Sequence, residues 1–188
     1  MGKLFFILGG ARSGKSVYAQ TLAQQRAGDD VLFVATLRET NLIAQDVEMQ
    51  QRIAKHRAVR PSSWCTLVVG DDPCAEIQTA LHTQPAQVVL LDCLAMLISG
   101  ALFMGEAVPI AQLDAEDRAE NLANALASTC AQSDADWIVV SNEVGLSIVP
   151  DNAMARAYRD ALGRANQRMA GHADEVYFLV AGLPQRFK

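Results

Sequence analysis

The sequence lacks an excess of positive charge. It carries 16 lysines and arginines against 21 aspartates and glutamates, which gives a formal net charge of −5 at pH 7. The bases do not form a continuous stripe along the sequence. General binding of nucleic acid depends on a basic surface, so this class of function is a poor first interpretation, and we expect no nucleic-acid partner.

Long apolar runs are also missing. The most apolar of the long uncharged stretches extends from residue 93 to residue 105, and it is shorter than the roughly 20 apolar residues of a membrane-spanning helix. The apolar run near the N-terminus is too short for a signal peptide, and a motif of a different kind follows it. We therefore expect no transmembrane or targeting segment.

Cysteine spacing of the metal-binding kind is absent as well. None of the four cysteines lies in a CxxC pair, and two of them fall in strongly apolar segments, where a small buried thiol is the ordinary interpretation. We expect the four cysteines to be reduced and the protein to be cytoplasmic.

The composition is that of an ordinary globular chain, with 51% apolar and 20% charged residues. A length of 188 residues favours a single domain over residues 1–188. Short apolar runs alternate with helix-like stretches, which predicts an α/β fold with a mainly parallel sheet flanked by helices. The predicted strands are 3–8, 31–35, 67–69, 88–92, 137–141 and 176–180. The predicted helices are 15–26, 42–57, 75–82, 94–103, 113–131 and 152–170, with an irregular segment at 105–112.

The clearest motif is "GGARSGKS", which satisfies the pattern GxxxxGK[ST] between a predicted strand and a predicted helix. Glycines allow a tight turn whose N–H groups converge on phosphate oxygens, and the helix N-terminus adds positive potential. Lys15 can reach the β- and γ-phosphates, and the Ser16 hydroxyl can coordinate Mg²⁺. A chance match in a glycine-containing turn is disfavoured by this context. The predicted nucleotide-binding residues of the loop are Gly9, Gly10, Ala11, Arg12, Ser13, Gly14, Lys15 and Ser16.

An acid follows the apolar run "VVLL" at Asp92. Phosphate-binding loops are usually paired with an acid at the end of a neighbouring strand, which helps to hold the metal. Asp92 could instead cap the helix predicted from residue 94. Because the chain has a phosphate-binding loop, metal binding is the leading interpretation.

A second group of bases lies in "RIAKHRAVRP", where Arg52, Lys55, Arg57 and Arg60 surround His56. A solvated helix end would explain the bases, which favour the negative pole of a helix dipole. Alternatively, the bases clamp a second polyphosphate and His56 acts as a nucleophile, since much imidazole is neutral at neutral pH. The segment alone leaves both interpretations open.

Near the C-terminus, "VVSNEVG" places Asn142 and Glu143 at the end of a predicted strand. Sites of α/β proteins lie at the carboxyl ends of strands, so Glu143 is a candidate general base or substrate-orienting group. A role in holding a turn or a subunit contact is an equal alternative.

These ordered motifs resemble a known family, the bifunctional adenosylcobinamide kinase / adenosylcobinamide-phosphate guanylyltransferases of cobalamin biosynthesis. The resemblance covers nearly the whole chain. Generic P-loop kinases share at most two of the motifs, "GGARSGKS" and "LLDCL". The motifs are "GGARSGKS", "VAT", "RIAKHRAVRP", "LLDCL" and "NEVGLSIVPDNAMARAYRDALGRANQRMAGHADEVY".

The resemblance implies a RecA-like P-loop fold, a homotrimer, a corrinoid substrate, and the use of ATP, GTP and Mg²⁺. It implies that His56 carries GMP and that Asp92 is the family's strand-end acid, while the motif itself assigns Lys15 to phosphoryl transfer and Ser16 and Asp92 to the metal. The further nucleotide contacts that it implies are Ala35, Thr36, Leu37, Arg57, Ala58, Val59, Arg60 and Asp92.

Two departures from the family pattern keep alternatives open. Val68 stands where the family usually has an acid, and "LAMLISGALF" lacks the tryptophan and asparagine common in that stretch. A P-loop kinase of small molecules without nucleotidyl transfer is one alternative. A GTP-binding oligomeric regulator is another.

Overall fold

A single seven-stranded sheet organises the computed structural model of the chain, which describes residues 2–37, 60–103 and 112–188. The strand order is β3-β2-β4-β5-β1-β6-β7, and the pairs are parallel except for the antiparallel pair of β6 and β7. The mainly parallel sheet predicted from the sequence is confirmed. The strands are β1 Leu4–Gly9, β2 Val31–Ala35, β3 Cys65–Val68, β4 Val88–Asp92, β5 Asp136–Val140, β6 Glu175–Val180 and β7 Leu183–Arg186.

Five helices occur within the described ranges, and local signals set several of their ends. Asp72 caps α2 by accepting a hydrogen bond from the Ala75 N–H at 3.0 Å. Asn152 caps α5 in the same way, as expected of short polar side chains at helix starts. Gly28, with φ of 58°, ends α1. The helices are α1 Lys15–Ala27, α2 Pro73–Thr83, α3 Leu94–Phe103, α4 Gln112–Ala131 and α5 Ala153–His172.

Helices cover both faces of the sheet and form two apolar cores. Successive residues of β1 face opposite sides, so Phe6 lies in the core shared with α2 to α5, whereas Phe5 and Ile7 lie in the core with Ala19 and Ala23 of α1. Burial on both faces explains why these strands read as continuous apolar runs. No helix in the described part of the chain is long and apolar enough to span a membrane.

Several predicted boundaries shift, and one strand was missed. The strand predicted at 67–69 with its neighbours is β3, and the neighbours that it includes are Cys65 and Thr66, which pair with β2. β7 was not predicted, since its sequence LPQR is exposed throughout and has no alternating pattern. Of the segment predicted to be irregular, 105–112, only Gln112 is described, and it begins α4. The helix predicted over 42–57 lies outside the described residues.

Candidate active site

The phosphate-binding loop joins β1 to α1 at the carboxyl edge of the sheet. Gly14 lies in the left-handed region with φ of 93°, and Arg12 does so with φ of 58°. The Ser13 N–H donates to the Gly10 carbonyl at 3.3 Å, and the Tyr18 N–H donates to the Gly14 carbonyl at 3.0 Å. The chain therefore turns sharply and enters α1 with the helix N-terminus facing the loop.

Lys15 is the first residue of α1, and its side chain folds back over the loop. It is only 8% exposed, and its Nζ donates to the Gly10 carbonyl at 2.9 Å. Negative charge stabilises an ammonium group that is largely withdrawn from water, and phosphate oxygens would supply such charge. Ser16 follows and is partly exposed. The loop thus places a cation and a hydroxyl group next to each other.

The loop residues fit a phosphate group. A Cβ atom on Gly9 would lie 2.5 Å from the Ser13 Oγ and 2.8 Å from the Leu179 carbonyl oxygen, so this position requires glycine. The Ser13 Oγ is buried and has no hydrogen-bond partner among the described residues. Buried hydroxyl groups are normally satisfied, and an anion held in the loop would supply an acceptor for this one.

Asp92 ends β4 at the same edge of the sheet. It pairs in register with Ala35 of β2 on one side and with Val140 of β5 on the other. The ends of β2 and β4 are fastened by Thr36, whose hydroxyl donates to the Cys93 carbonyl at 3.0 Å and accepts from the Cys93 N–H at 2.8 Å. Thr36, a predicted nucleotide contact, is 7% exposed and holds the strand end that carries Asp92.

The Ser16 hydroxyl and the Asp92 carboxylate are hard oxygen donors of the kind that Mg²⁺ prefers. The residues that the structure describes contain no group of three or more histidine, cysteine, aspartate or glutamate side chains that could hold a metal ion. Mg²⁺ in phosphate sites is usually held by one or two protein groups together with phosphate oxygens and water. The donor set therefore fits Mg²⁺ brought in with a nucleotide.

Cys93, directly after Asp92, is a neutral thiol. Burial, reinforced by the negative charge of Asp92, raises the pKa of Cys93 to about 12. Because the thiolate is the nucleophilic form of cysteine, this thiol is not a nucleophile at neutral pH.

Glu143 follows β5 and is tied to the phosphate-binding loop through the backbone. Its N–H donates to the Gly9 carbonyl at 3.0 Å, and its carboxylate accepts a hydrogen bond from the Gly145 N–H. These contacts match the turn-holding role considered for Glu143. Its role as a general base stays a prediction.

A buried asparagine fixes the end of β5, and sequence reasoning assigned it no role. The Asn166 Nδ2 of α5 donates to the Asn142 carbonyl at 3.0 Å, and its Oδ1 accepts from the Ser141 hydroxyl at 2.7 Å. Asn166 is 6% exposed. These contacts position the strand end that leads to Glu143.

Of the site residues predicted in the basic segment, Arg60 alone lies within the described residues; His56, Arg57, Ala58 and Val59 lie outside them. The Arg60 guanidinium carbon lies 3.4 Å from the centre of the Phe33 ring, and its Nη1 donates to the Thr66 hydroxyl at 2.7 Å. The Arg60 side chain therefore packs against β2, and two strands, β4 and β5, lie between β2 and β1. The structure does not bring Arg60 to the phosphate-binding loop.

The carboxyl end of β2, next to β3, carries the remaining predicted contacts. Ala35 ends β2, and the partly exposed Leu37 follows it. Val68 pairs with Ala35 and is 49% exposed. The departure from the family pattern at Val68 therefore lies beside a predicted nucleotide contact.

The turn between β6 and β7 also reaches the phosphate-binding loop, and sequence reasoning missed this contact as well. The Gly182 N–H donates to the Ser13 carbonyl at 2.8 Å. The only signal for it is an Ala-Gly pair directly after an apolar strand.

A mainly parallel sheet with this loop after β1, and a strand-end acid two strands away, defines a P-loop nucleotide-binding fold of the RecA-like kind. A solved ATPase domain superposes on this chain with a TM-score of 0.52 at 15% identity. The match covers 94% of this chain and 68% of that chain. At this identity the likeness shows the fold alone.

The family follows from the sequence comparisons. The family model described as "Cobinamide kinase / cobinamide phosphate guanyltransferase" matches residues 5–187. The bifunctional adenosylcobalamin biosynthesis protein CobU of Salmonella typhimurium is 37% identical, over 98% of this chain and 99% of that protein. The protein of the same name from Escherichia coli is 34% identical over 98% and 99% of the two chains, and CobP of Pseudomonas aeruginosa is 37% identical over 97% and 95%. The chain belongs to the cobinamide kinase / cobinamide phosphate guanyltransferase family.

Proposed function

We propose that this protein phosphorylates adenosylcobinamide and then transfers GMP from GTP to adenosylcobinamide phosphate, giving adenosylcobinamide-GDP. The observation that carries the proposal is the phosphate-binding loop, with Lys15 largely buried over it, in a chain that belongs to this family over residues 5–187. The named relatives are bifunctional proteins of adenosylcobalamin biosynthesis, which supports two activities in one chain.

In the first reaction, the hydroxyl oxygen of the aminopropanol arm attacks the γ-phosphorus of ATP or GTP. The bond from this phosphorus to the bridging oxygen breaks, and the nucleoside diphosphate leaves. Lys15 and the loop N–H groups stabilise the charge on the phosphate oxygens, and Glu143 is the candidate acceptor of the hydroxyl proton. Mg²⁺, held by Ser16 and Asp92, would neutralise the developing charge on the oxygens.

In the second reaction, a nitrogen of His56 attacks the α-phosphorus of GTP and pyrophosphate leaves. A phosphate oxygen of adenosylcobinamide phosphate then attacks the same phosphorus, which forms the new phosphoanhydride bond and releases His56. Splitting a transfer through a covalent intermediate is ordinary nucleophilic catalysis. Support comes from the residues that surround His56 in the sequence, with Arg57 to Arg60 proposed to contact the nucleotide phosphates.

The two phosphate-binding regions are proposed to be separate. Arg60, which ends the run of bases, lies over Phe33 of β2, and the P-loop follows β1 on the other side of β4 and β5. This separation favours one region near β2, which binds GTP for guanylyl transfer, and a second region at the P-loop, which binds the phosphoryl donor. Ala35, Thr36 and Leu37 are proposed to belong to the region near β2 that binds GTP.

The protein is further proposed to be a cytoplasmic homotrimer, as the family resemblance implies. In the loop between β5 and α5, Leu146 is 82% exposed and Ile148 is 92% exposed. Large apolar side chains displayed together favour contact with another molecule. Light scattering on the purified protein tests the trimer, and a monomer at all working concentrations would contradict it.

A kinase without nucleotidyl transfer is the second candidate, because Val68 replaces an acid that is usual in the family. The Val68 side chain is exposed and lies beside Ala35. The region near β2 that is proposed to bind GTP therefore lacks the carboxylate that is usual in the family at this position. The regulator alternative has no such support, since the chain belongs to a family of enzymes.

One product analysis separates these candidates. The protein is incubated with adenosylcobinamide, ATP, GTP and Mg²⁺, and the corrinoids are identified by chromatography and mass spectrometry. The proposal predicts adenosylcobinamide phosphate at early times and adenosylcobinamide-GDP later. Accumulation of the phosphate alone would favour the kinase, and the absence of both products would overturn the proposed function.

A further inference from the structure

We propose that the turn between β6 and β7 is a positioning device for the phosphate-binding loop, in which the Gly182 N–H sets the orientation of the Ser13–Gly14 peptide. This inference rests on the proposed function, because it assumes that the loop binds the phosphates of a nucleotide. It concerns a turn more than 160 residues away in sequence from the loop that it holds.

The turn has the geometry of a tight hairpin that projects its backbone outwards. Val180 pairs with Leu183, so Ala181 and Gly182 form a two-residue loop. Both residues have positive φ, 51° and 83°, as in turns whose twist matches the flanking strands. Alanine rarely adopts this conformation, because its Cβ atom then lies close to the following carbonyl oxygen. Ala181 nevertheless adopts this conformation, and the residue after it, Gly182, contacts the phosphate-binding loop.

One hydrogen bond and two close backbone approaches join the hairpin to the phosphate-binding loop. The Gly182 N–H donates to the Ser13 carbonyl at 2.8 Å. A Cβ atom on Gly14 would lie 3.0 Å from the Gly182 Cα, and a Cβ atom on Gly9 would lie 2.8 Å from the Leu179 carbonyl oxygen. The two backbones therefore meet without intervening side chains, and the glycines on both sides permit this approach.

The hydrogen bond has a consequence for phosphate binding. In a trans peptide the carbonyl oxygen and the N–H point in opposite directions. Because the Ser13 carbonyl is directed to the hairpin, the N–H of Gly14 is directed away from it. The N–H groups of such loops are the phosphate ligands, so the hairpin prevents this peptide from rotating and withdrawing a donor. Gly182 is thus a positioning residue and does not itself touch the nucleotide.

The direct test replaces the Gly182 N–H by an oxygen atom and keeps every side chain the same in the test and the control protein. Position 182 is close to the C-terminus, so the last residues can be joined as a synthetic peptide by ligation at position 181, with Ala181→Cys in both the test and the control protein. The test protein carries an ester in place of the amide at Gly182, and the control protein carries the amide. Both are assayed as full-length chains with AMP-PNP and Mg²⁺ by titration calorimetry, since an adenine nucleotide reports on the P-loop rather than on the GTP site.

We expect the ester to raise the Kd for AMP-PNP about 3- to 10-fold, equivalent to about 0.7–1.4 kcal/mol, which is the usual range for one hydrogen bond. Phe187→Ala controls for a loosened hairpin, because it removes the contact between the Phe187 and Phe178 rings and leaves the turn unchanged. It should lower the melting temperature and leave the Kd within about twofold.

A Lys15→Ala variant separates failure of this inference from failure of the proposed function. If Lys15→Ala weakens AMP-PNP binding and the ester does not, the hairpin has no positioning role and the phosphate site stands. If Phe187→Ala raises the Kd as much as the ester does, the hairpin acts only through general stability, and the inference is overturned. If Lys15→Ala leaves binding unchanged, the assigned phosphate site is wrong, and the positioning role is wrong with it.

Discussion

Replacing Asn166 by alanine should destabilise the protein strongly, because this side chain fastens α5 to the end of β5. It makes two hydrogen bonds, to the Ser141 hydroxyl at 2.7 Å and to the Asn142 carbonyl at 3.0 Å. Ser141 is fully buried and Asn166 is 6% exposed. Water therefore has little access to the Ser141 hydroxyl, and the Asn142 carbonyl is partly buried.

The magnitude follows from those two groups. A buried polar group left unsatisfied costs about 1–3 kcal/mol. The Asn142 carbonyl would lose the amide donor, and the Ser141 hydroxyl would lose its acceptor. We expect Asn166→Ala to lower the free energy of unfolding by about 2–4 kcal/mol, which corresponds to a fall in Tm of roughly 5–15 °C for a chain of this length.

Urea denaturation followed by circular dichroism measures the loss, with Gln167→Ala as the matched control. Gln167 lies next along α5 and is exposed, so its replacement should change the free energy of unfolding by less than about 0.5 kcal/mol. Ser141→Ala and the double variant complete a cycle that should show a coupling of about 1 kcal/mol. If Asn166→Ala and Gln167→Ala have the same stability, the two hydrogen bonds do not fasten the strand end as argued.

Three further results are expected. Lys15→Ala should lower kcat/KM for adenosylcobinamide phosphorylation by at least about a hundredfold in a coupled kinase assay. Lys3 is exposed, so the kcat/KM of the control variant Lys3→Ala should stay near the wild-type value. Equal activity of the two variants would refute the role of Lys15. With a pKa of about 12, Cys93 is a thiolate in only about one molecule in ten thousand at pH 8. Mass spectrometry should therefore find the partly exposed Cys65 alkylated by iodoacetamide well before Cys93. The reverse order would contradict the burial argument. Asp72→Ala removes the cap of α2 and should cost about 1 kcal/mol of unfolding free energy in urea; an unchanged midpoint would mean that the cap is not stabilising.

Much of the fold was predictable because burial on both faces leaves a clear mark in the sequence. The strands at 31–35 and 88–92 and the helix at 94–103 have the predicted bounds, since each is a short apolar run or follows one directly. The phosphate-binding loop was predictable for a different reason. Its backbone geometry requires glycines at fixed spacing, so the motif and its flanking elements identify each other.

Contacts between distant elements could not be predicted in the same way. β7 is exposed and polar, and it is defined by its register with β6 rather than by its own pattern. Nothing local to Asn166 indicates that it meets Asn142, and nothing local to Gly182 indicates that it meets the phosphate-binding loop. The nucleotide contact of Arg60 stays a prediction, and its packing over the Phe33 ring could not be predicted, because only the folded sheet brings the two side chains together.

The central proposal is that His56 carries GMP between GTP and the corrinoid. The direct measurement is to incubate the full-length protein with α-³²P-labelled GTP and Mg²⁺, without corrinoid, and to count the radioactivity that stays on the denatured protein. The wild-type chain should retain a label that acid releases and alkali does not, whereas γ-labelled GTP should leave none and His56→Ala should remain unlabelled. Label retained by His56→Ala at the wild-type level would contradict the account.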